Sequence, residues 1–483
     1  MNVTFDATTR HQTIDNFGAS QAWWVDIVGD RFPAEAMEEI ADLLFGRERG
    51  IGLSCTRFNI GGGSVWYDTE YIENWFMRAE CFQRGPNAPY DWTRHAGQRR
   101  LLELARERGV ERTIAFVNSP PAWMTASGHT RGDDRTGTTN LRFGREREFA
   151  RFLADVLAHF RDIDMPFDYI SPVNEPQVPW DFPKQEGCRY SNQDMSRAVI
   201  ALREVLDAEG LDTPILFNET NTLFQLIDLD IAQPFLDRID PDGGYRTHAF
   251  RHGGKYFEGL KDVFSNPEVA SAIAPVVAAH SYGTDSPETI VEARRMTRAT
   301  MERYPGYDYW MTEYCILGEY GPKRDLGIDP ALVVANVVHH DLVHMDAAAW
   351  QWWLGVSGGD YKDGLVYLDL DEQRVLASKM LWALGHWSRF LRPGSVRVGL
   401  SATAGEGLDT GDLLASAYLD AEGSPVVVVV NHAHEPTSIA VDGAPAASWR
   451  VWRTDAERDL ADTGSASGAV EIGPRSIVTL VGR

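Results

Sequence analysis

The chain has 483 residues, enough for a large barrel and one further domain rather than a single small one. Hydrophobic residues make up 43% and charged residues 24%, so a full core is available and global disorder is excluded. Asp and Glu outnumber Lys and Arg by 70 to 46, and the resulting net charge of −24 disfavours nucleic acid and anionic membranes and suits a neutral substrate.

The elements alternate along the chain. A first strand ends at Phe17-Gly-Ala-Ser20. Pro33–Phe45 has helical period, with Pro at its start and Gly46 just past its end. A second strand covers Leu53–Asn59 and is followed by Gly61-Gly-Gly63, which lacks the Gly-Lys-Ser/Thr of a phosphate loop. Helix Gln98–Arg108 leads to a third strand, Thr113–Asn118, and helix 145–160 to a fourth, ending at Glu175. Helix Met195–Glu209 precedes a fifth strand, Pro214–Asn218. A long stretch without a clear pattern follows, and then a sixth strand, Ala274–His280. Helix Pro287–Tyr304 leads to a seventh strand ending at Glu313, and helix Pro330–His344 to an eighth, Ala347–Trp353. Eight strands alternating with helices predict an α/β fold, a (β/α)8 TIM barrel over residues 15–391. Beyond Arg392-Pro-Gly394, short β-patterned runs separated by Gly, Asp and Pro predict a small antiparallel sandwich over 392–483, to which residues 1–14 add a strand.

Other signals are weaker. Cys55, Cys81, Cys188 and Cys315 form no C-x-x-C pair, so zinc-ribbon and thioredoxin-like readings fail and free thiols are expected. His339, His340 and His344 lie on a predicted outer helix, where surface or packing roles outweigh a metal pair. Neither metal nor cofactor is expected. The first residues carry no basic segment followed by an apolar one, leaving a cytoplasmic protein or an exported one whose signal has been removed. No run of about 18 apolar residues suggests membrane insertion.

Two strand ends carry glutamates in apolar surroundings. Phe167–Gln177 holds Asn174-Glu175-Pro176, and Tyr307–Cys315 holds Glu313. A carboxylate at a strand terminus is rigidly held yet meets solvent, and a two-carboxylate glycosidase needs that twice. One must be a general acid, which partial burial favours. That role goes to Glu175, with Asn174 donating to a sugar hydroxyl. Glu313 must stay ionised as nucleophile, and Arg57, His280 and Tyr282 are candidates to hold it so. Asn118 and Glu219 are further polar strand-end positions facing a substrate. The 15 tryptophans include Trp23, Trp24, Trp66, Trp123, Trp180, Trp350, Trp352 and Trp353 near strand ends, and indoles stack on the apolar faces of sugars. Trp352 and Trp123 are the expected walls of the sugar site.

At these residues the chain resembles glycoside hydrolase family 30, of the clan of retaining (β/α)8 hydrolases. The resemblance rests on Phe17-Gly-Ala-Ser20, Arg57-Phe-Asn-Ile-Gly-Gly62, Asn118-Ser-Pro-Pro-Ala-Trp-Met124, Pro172–Gln177, His280-Ser-Tyr282, Trp310-Met-Thr-Glu313, the Trp-rich eighth strand and Pro474–Leu480. It implies that Glu175 is the acid/base and Glu313 the nucleophile. Trp23-Trp24, Asp91-Trp92, Ala96-Gly97-Gln98 and Gln185-Glu-Gly187 look most like the branch containing endo-β-1,6-galactanases. The implied substrate is β-1,6-linked galactan or galacto-oligosaccharide, with β-1,6-glucan, glucosylceramide and glucuronoxylan as the family's other choices. Arg246 and Arg251 are the cations that could meet a glucuronate. The expected partner is an oligo- or polysaccharide, and the expected state a monomer. A sugar-binding protein with a dead site and a metal-dependent hydrolase on the same barrel are the alternatives.

Overall fold

The computed structural model describes residues 1–132, 137–182, 184–239, 255–402 and 408–483. Arg246 and Arg251 fall outside them. The strands begin with β1 (Asn2–Thr13), β2 (Asn16–Ser20), β3 (Cys55–Asn59), β4 (Arg112–Phe116) and β5 (Tyr169–Ser171). They continue with β6 (Phe217–Thr220), β7 (Val276–His280), β8 (Asp308–Tyr314) and β9 (Ala349–Ser357). From β2 to β9 they form one parallel sheet in the order β5-β4-β3-β2-β9-β8-β7-β6. A parallel bridge between Ile170 and Ile215 brings the two edges together, so the sheet curls into a nearly closed eight-stranded barrel.

All eight expected strands are present. The main difference is β5, which stops at Ser171, so Glu175 stands in the loop beyond it. Pro172 explains the stop, because it has no N–H to donate to a ladder. Helices Ala34–Phe45, Ala96–Glu107, Glu146–Asp162, Asn192–Ala208, Ile290–Met301 and Ile328–His344 fill the expected intervals. Asn192–Ala208 starts on a capping box: Ser191 Oγ accepts from the Asp194 N–H, and the Asp194 carboxylate accepts from the Ser191 N–H. Such a cap contributes about 1 kcal/mol. The patternless stretch before β7 holds helix Leu229–Ile239, a short π-type helix Leu260–Phe264 and helix Pro267–Ala272. Helix Trp24–Arg31 was not anticipated, nor was the hairpin β10 (Gly364–Asp369) and β11 (Arg374–Ala377) that extends β9. The floor of the barrel is apolar, packed from Cys55, Ile114, Leu216, Ala278, Trp310 and Ala349. Among the described residues no helix is long and apolar enough to cross a membrane. The four cysteines are free and buried.

The remaining strands are β12 (Val396–Ala402), β13 (Asp409–Thr410), β14 (Leu413–Leu419), β15 (Pro425–Asn431), β16 (Thr437–Asp442), β17 (Trp449–Thr454), β18 (Ala461–Ala466), β19 (Val470–Ile472) and β20 (Ser476–Gly482). They run in the order β18-β17-β20-β15-β14-β12-β1-β16-β19, with β13 against β14. The first strand of the chain thus sits inside this sheet, antiparallel to β12 and parallel to β16, the one departure from the all-antiparallel pattern expected. The run Pro425-Val-Val-Val-Val-Val-Asn431 lacks alternation because both its faces are buried. Val427 and Val429 enter the sandwich core, while Val426, Val428 and Val430 join the barrel core.

Polar contacts pin the same interface. His386, on helix Lys379–Ser388, is fully buried and lies 2.7 Å from Thr479 Oγ1 and 2.9 Å from Thr454 Oγ1. His339, His340 and His344 are buried in helix Ile328–His344, the first two rings meeting edge-on at 5.3 Å and the last two tilted at 5.4 Å, so they pack against one another. Burial holds the His386 imidazole down to about 3 from 6.5. The unfolded chain therefore takes up this proton as pH falls below about 6.5 while the folded chain does not, and stability present at neutral pH is lost towards pH 3. A His386→Gln variant, whose amide can serve both threonines, is expected to lose melting temperature less steeply than the parent between pH 7 and pH 4. The difference should be roughly a few degrees by scanning calorimetry.

Candidate active site

The C-terminal ends of the barrel strands converge on a buried set of charges. Arg57 projects inward from β3, Glu219 from β6, His280 from β7, and Glu313 from β8. The loop after β5 brings in Glu175. Arg57 Nη1 donates to Glu313 Oε2 at 3.2 Å and to the Thr312 carbonyl at 2.6 Å. Tyr282 donates its hydroxyl to Glu313 Oε1 at 3.1 Å. Both oxygens of Glu313 thus accept a hydrogen bond. The polar contacts of the Glu175 carboxylate fall on Oε1, which accepts from Asn221 Nδ2 at 2.8 Å and lies 3.2 Å from His280 Nδ1. Glu175, His280 and Glu313 each place one polar atom within 4.8 Å of the others.

Two glutamates here have left-handed backbone, Glu175 with φ 43° and Glu219 with φ 58°. That conformation costs a non-glycine residue roughly 1–2 kcal/mol. The Glu175 N–H donates to the Glu219 carbonyl at 2.9 Å, so the two strained turns hold one another. Trp180 adds a second tie, its indole N–H donating to the Glu175 carbonyl at 3.1 Å.

The electrostatics follow from the geometry. Glu219 is fully buried and accepts from Ser171 Oγ at 2.9 Å and from Thr312 Oγ1, with His280 Nε2 at 3.1 Å. Burial would raise its pKa, but Arg57, His280 and Thr312 together bring it down to about 2. Burial likewise opposes the charge on His280, yet Glu313, Glu175 and Glu219 carry it up to about 10. His280 is therefore an imidazolium near neutral pH, and both its nitrogens are donors. Burial pushes Glu313 above its ordinary value; His280 and Arg57 oppose the shift, and Glu175 and Glu219 add to it. Two cations, Arg57 and His280, face three carboxylates. The Glu175, His280 and Glu313 atoms lie within 4.8 Å of one another, and each residue has partners inside the cluster, His280 with Glu175 and Glu219 and Glu313 with Arg57 and Tyr282.

The expected residues divide in two. Arg57, Glu175, His280, Tyr282 and Glu313 do come together. Glu219 joins them, but its carboxylate is buried and already engaged by Ser171, His280 and Thr312, so it supports the cluster from within. Trp352 is a correction: it is fully buried and donates its indole N–H to the Asp363 carbonyl at 2.6 Å. Alternation along β9 turns Trp353 to the barrel side instead. There it meets Phe116 at 6.1 Å, and Arg57 lies 4.4 Å above the Phe116 ring. Trp123 is half-buried and donates to the Gln83 carbonyl at 3.2 Å. Asn118 and Asn174 are buried, and among the described residues both side-chain polar atoms of Asn118 and Oδ1 of Asn174 lack a partner. Buried polar atoms without partners are costly, and at a site they are the atoms a ligand satisfies. The sequence reading gave no role to Ser171, Asn221 or Thr312, although Thr312 adjoins Glu313 and Asn221 lies two residues after Glu219, and it offered Trp180 as a sugar-stacking ring rather than as a tie to the Glu175 backbone.

A barrel with paired carboxylates at its C-terminal face and an all-β companion defines the class of barrel glycoside hydrolases, and comparison with known proteins gives the family. The model described as O-glycosyl hydrolase family 30 matches residues 1–367, and that of the glycosyl hydrolase family 30 beta sandwich domain matches residues 394–480. The chain belongs to glycoside hydrolase family 30. It is 22% identical to an endo-beta-1,6-galactanase of Hypocrea rufa over 417 residues, covering 81% of this chain and 75% of that protein. It is 25% identical to glucuronoxylanase XynC of Bacillus subtilis over 369 residues, covering 74% and 70%. A conserved exported protein from Bacteroides fragilis has a structure similar over the full length of both chains, with a TM-score of 0.86 and 30% identity.

The charge on His280 is directly measurable. Its ring nitrogens should report a doubly protonated imidazolium by nitrogen-15 NMR at pH 7 to 9, lost as pH rises through about 10. In Glu219→Gln, with one carboxylate neutralised, the transition should move to lower pH. A neutral ring at pH 7 in the parent would contradict the cluster as described.

Proposed function

We propose that the protein hydrolyses β-glycosidic bonds with retention of configuration, with Glu313 as nucleophile and Glu175 as acid/base. The observation that carries this is the approach of the two carboxylates, one oxygen of each within 4.8 Å. Retaining enzymes hold their carboxyls about 5–5.5 Å apart, and inverting enzymes need about 6.5–9.5 Å to admit a water between carboxylate and sugar. Hydrogen bonds distinguish the roles. Donors on both oxygens of Glu313 stabilise a carboxylate that attacks the anomeric carbon. Oε2 of Glu175 is the place for the proton given to the departing oxygen. The same oxygen then takes a proton from the water that attacks the glycosyl-enzyme ester, releasing the sugar and restoring both carboxyls.

The substrate proposed is β-1,6-linked galactan or its oligosaccharides. Similarity to a galactanase over most of the chain supports it, as does an acidic protein with three carboxylates at the site, which favours a neutral sugar. Reducing-sugar release from β-1,6-galactan, β-1,6-glucan and glucuronoxylan tests the choice. Release from galactan alone is expected, and release only from another of the three moves the substrate there. Glu313→Ala should abolish turnover, a loss of at least about 10⁴-fold, with an unchanged circular dichroism spectrum. Glu175→Ala should slow natural substrates far more than aryl glycosides with acidic leaving groups, which need little protonation. Equal losses on both, or inverted product by proton NMR, would sink the assignment.

A further inference from the structure

A pocket of about 460 Å³ opens between helix Trp24–Arg31 and the start of helix Ala96–Glu107, under the loop that carries Trp75 and Phe76. We propose that it is a second sugar-binding subsite, holding the neutral pyranose next to the one at the cleaved bond. The inference rests on the proposed glycan substrate and adds to it a place and a length requirement.

Three observations carry it. The first is polar. Asn59 and Trp23 line the pocket, are 0% and 5% exposed, and among the described residues both side-chain atoms of Asn59 and the Trp23 indole N–H have no partner. Leaving a buried donor or acceptor unmade costs about 1–3 kcal/mol each, and sugar hydroxyls, which both donate and accept, would satisfy all three atoms. The neighbouring polar groups are already committed: Gln98 accepts from the Asn59 backbone N–H at 2.9 Å and donates to Asp26 at 3.1 Å, so it does not rescue the Asn59 side chain.

The second is aromatic. Phe76 stacks on Trp24 at 4.5 Å, and Trp75 meets Phe76 edge-on at 6.0 Å with Arg31 4.5 Å from its ring centre. Trp75 is nonetheless 43% exposed, although Phe76 and Arg31 both hold its ring. A fixed, exposed ring at the mouth with hydrogen-bonding groups at the floor matches the apolar face and polar rim of a pyranose. Acids outnumber bases in the lining, with Asp26, Asp30 and Glu80 against Arg31 and Arg78, which disfavours an anionic sugar.

The third is position. Asn59 is two residues beyond Arg57 on β3 and so faces the same way. Trp23 packs edge-on against Trp353 at 5.2 Å, and Trp353 lies against the Phe116 ring that Arg57 covers. The pocket wall is thus linked to the carboxylates through Trp353, Phe116 and Arg57, and Asn59 points from it toward the same side of the barrel as Arg57.

The test uses full-length Glu313→Ala protein, so that ligands bind without turnover, and titration calorimetry with mono-, di- and trisaccharides of β-1,6-galactose, β-1,6-glucose and β-1,4-xylose. In this parent the second sugar should tighten binding about tenfold or more. Adding Asn59→Ala, or Trp75→Ala at the exposed position where folding is not at stake, should remove most of that gain and leave monosaccharide affinity unchanged. The proposal is overturned if the gain survives both substitutions, or if monosaccharide affinity falls as far as that of the disaccharide. Binding of the glucose or xylose series alone would overturn the galactan reading while the same comparison judges the subsite. Binding of none of the three would overturn both.

Discussion

Arg57 and its carboxylates set the terms for the rest of the barrel. A guanidinium with no exposed surface cannot be left unpaired, because removing one partner from a buried ion pair leaves a charge costing several kcal/mol. Glu219 and Glu313 are its counter-charges, at 3.7 and 3.2 Å, and His280 completes the set by touching both Glu175 and Glu219. Arg57 and His280 thereby hold Glu219 as an anion, and the three carboxylates hold His280 as a cation. Ser171 and Thr312 add donors to the Glu219 oxygens, and Tyr282 adds one to Glu313.

Holding those groups requires backbone that the sequence does not favour locally. Glu175 and Glu219 are both left-handed, and Trp23 shares that conformation with φ 64°. All three lie at the C-terminal face of the barrel, which is where strain is kept when a site needs it. Close packing around them supplies the restraint. Gly187 shows how tight that packing is: a Cβ there would come within 2.1 Å of the Trp180 ring, the same ring that holds the Glu175 carbonyl. The Gln185-Glu-Gly187 segment therefore acts on the site through a missing side chain as well as through Glu186, which is buried and accepts from the Gly62 and Ser64 N–H groups at 2.9 and 3.0 Å. Burial, against those hydrogen bonds, pushes the Glu186 carboxyl up to about 7.

The second domain shares a buried core with the barrel. One valine strand contributes to both cores, a buried histidine bridges two threonines across the seam, and the chain starts in the sandwich before entering the barrel. That arrangement ties the first and last strands of the protein into one sheet, so the sandwich is built from both ends of the described chain while the barrel strands run as one segment between them.

The repeating order of strand and helix, the valine strand and the two glutamates in apolar runs were legible in the sequence, because burial imposes periods of 2 and 3.6 that composition alone reveals. Pro172 signalled the early end of β5, although the run through Glu175 reads as one strand. What the sequence could not decide was which side of a strand faces the cleft once bulges intervene, as β9 shows by hiding Trp352 and turning Trp353 inward. Nor could it separate Glu219 from Glu175, two acids with similar neighbours in the chain. The difference between them is burial and the company of Arg57, and both arise only when strands more than a hundred residues apart close into a barrel. The sequence determined the alternation of elements and the residues available for chemistry, through local patterning. The tertiary structure decided which of them hold charge, which hold a proton and which merely support, because those properties depend on long-range contacts.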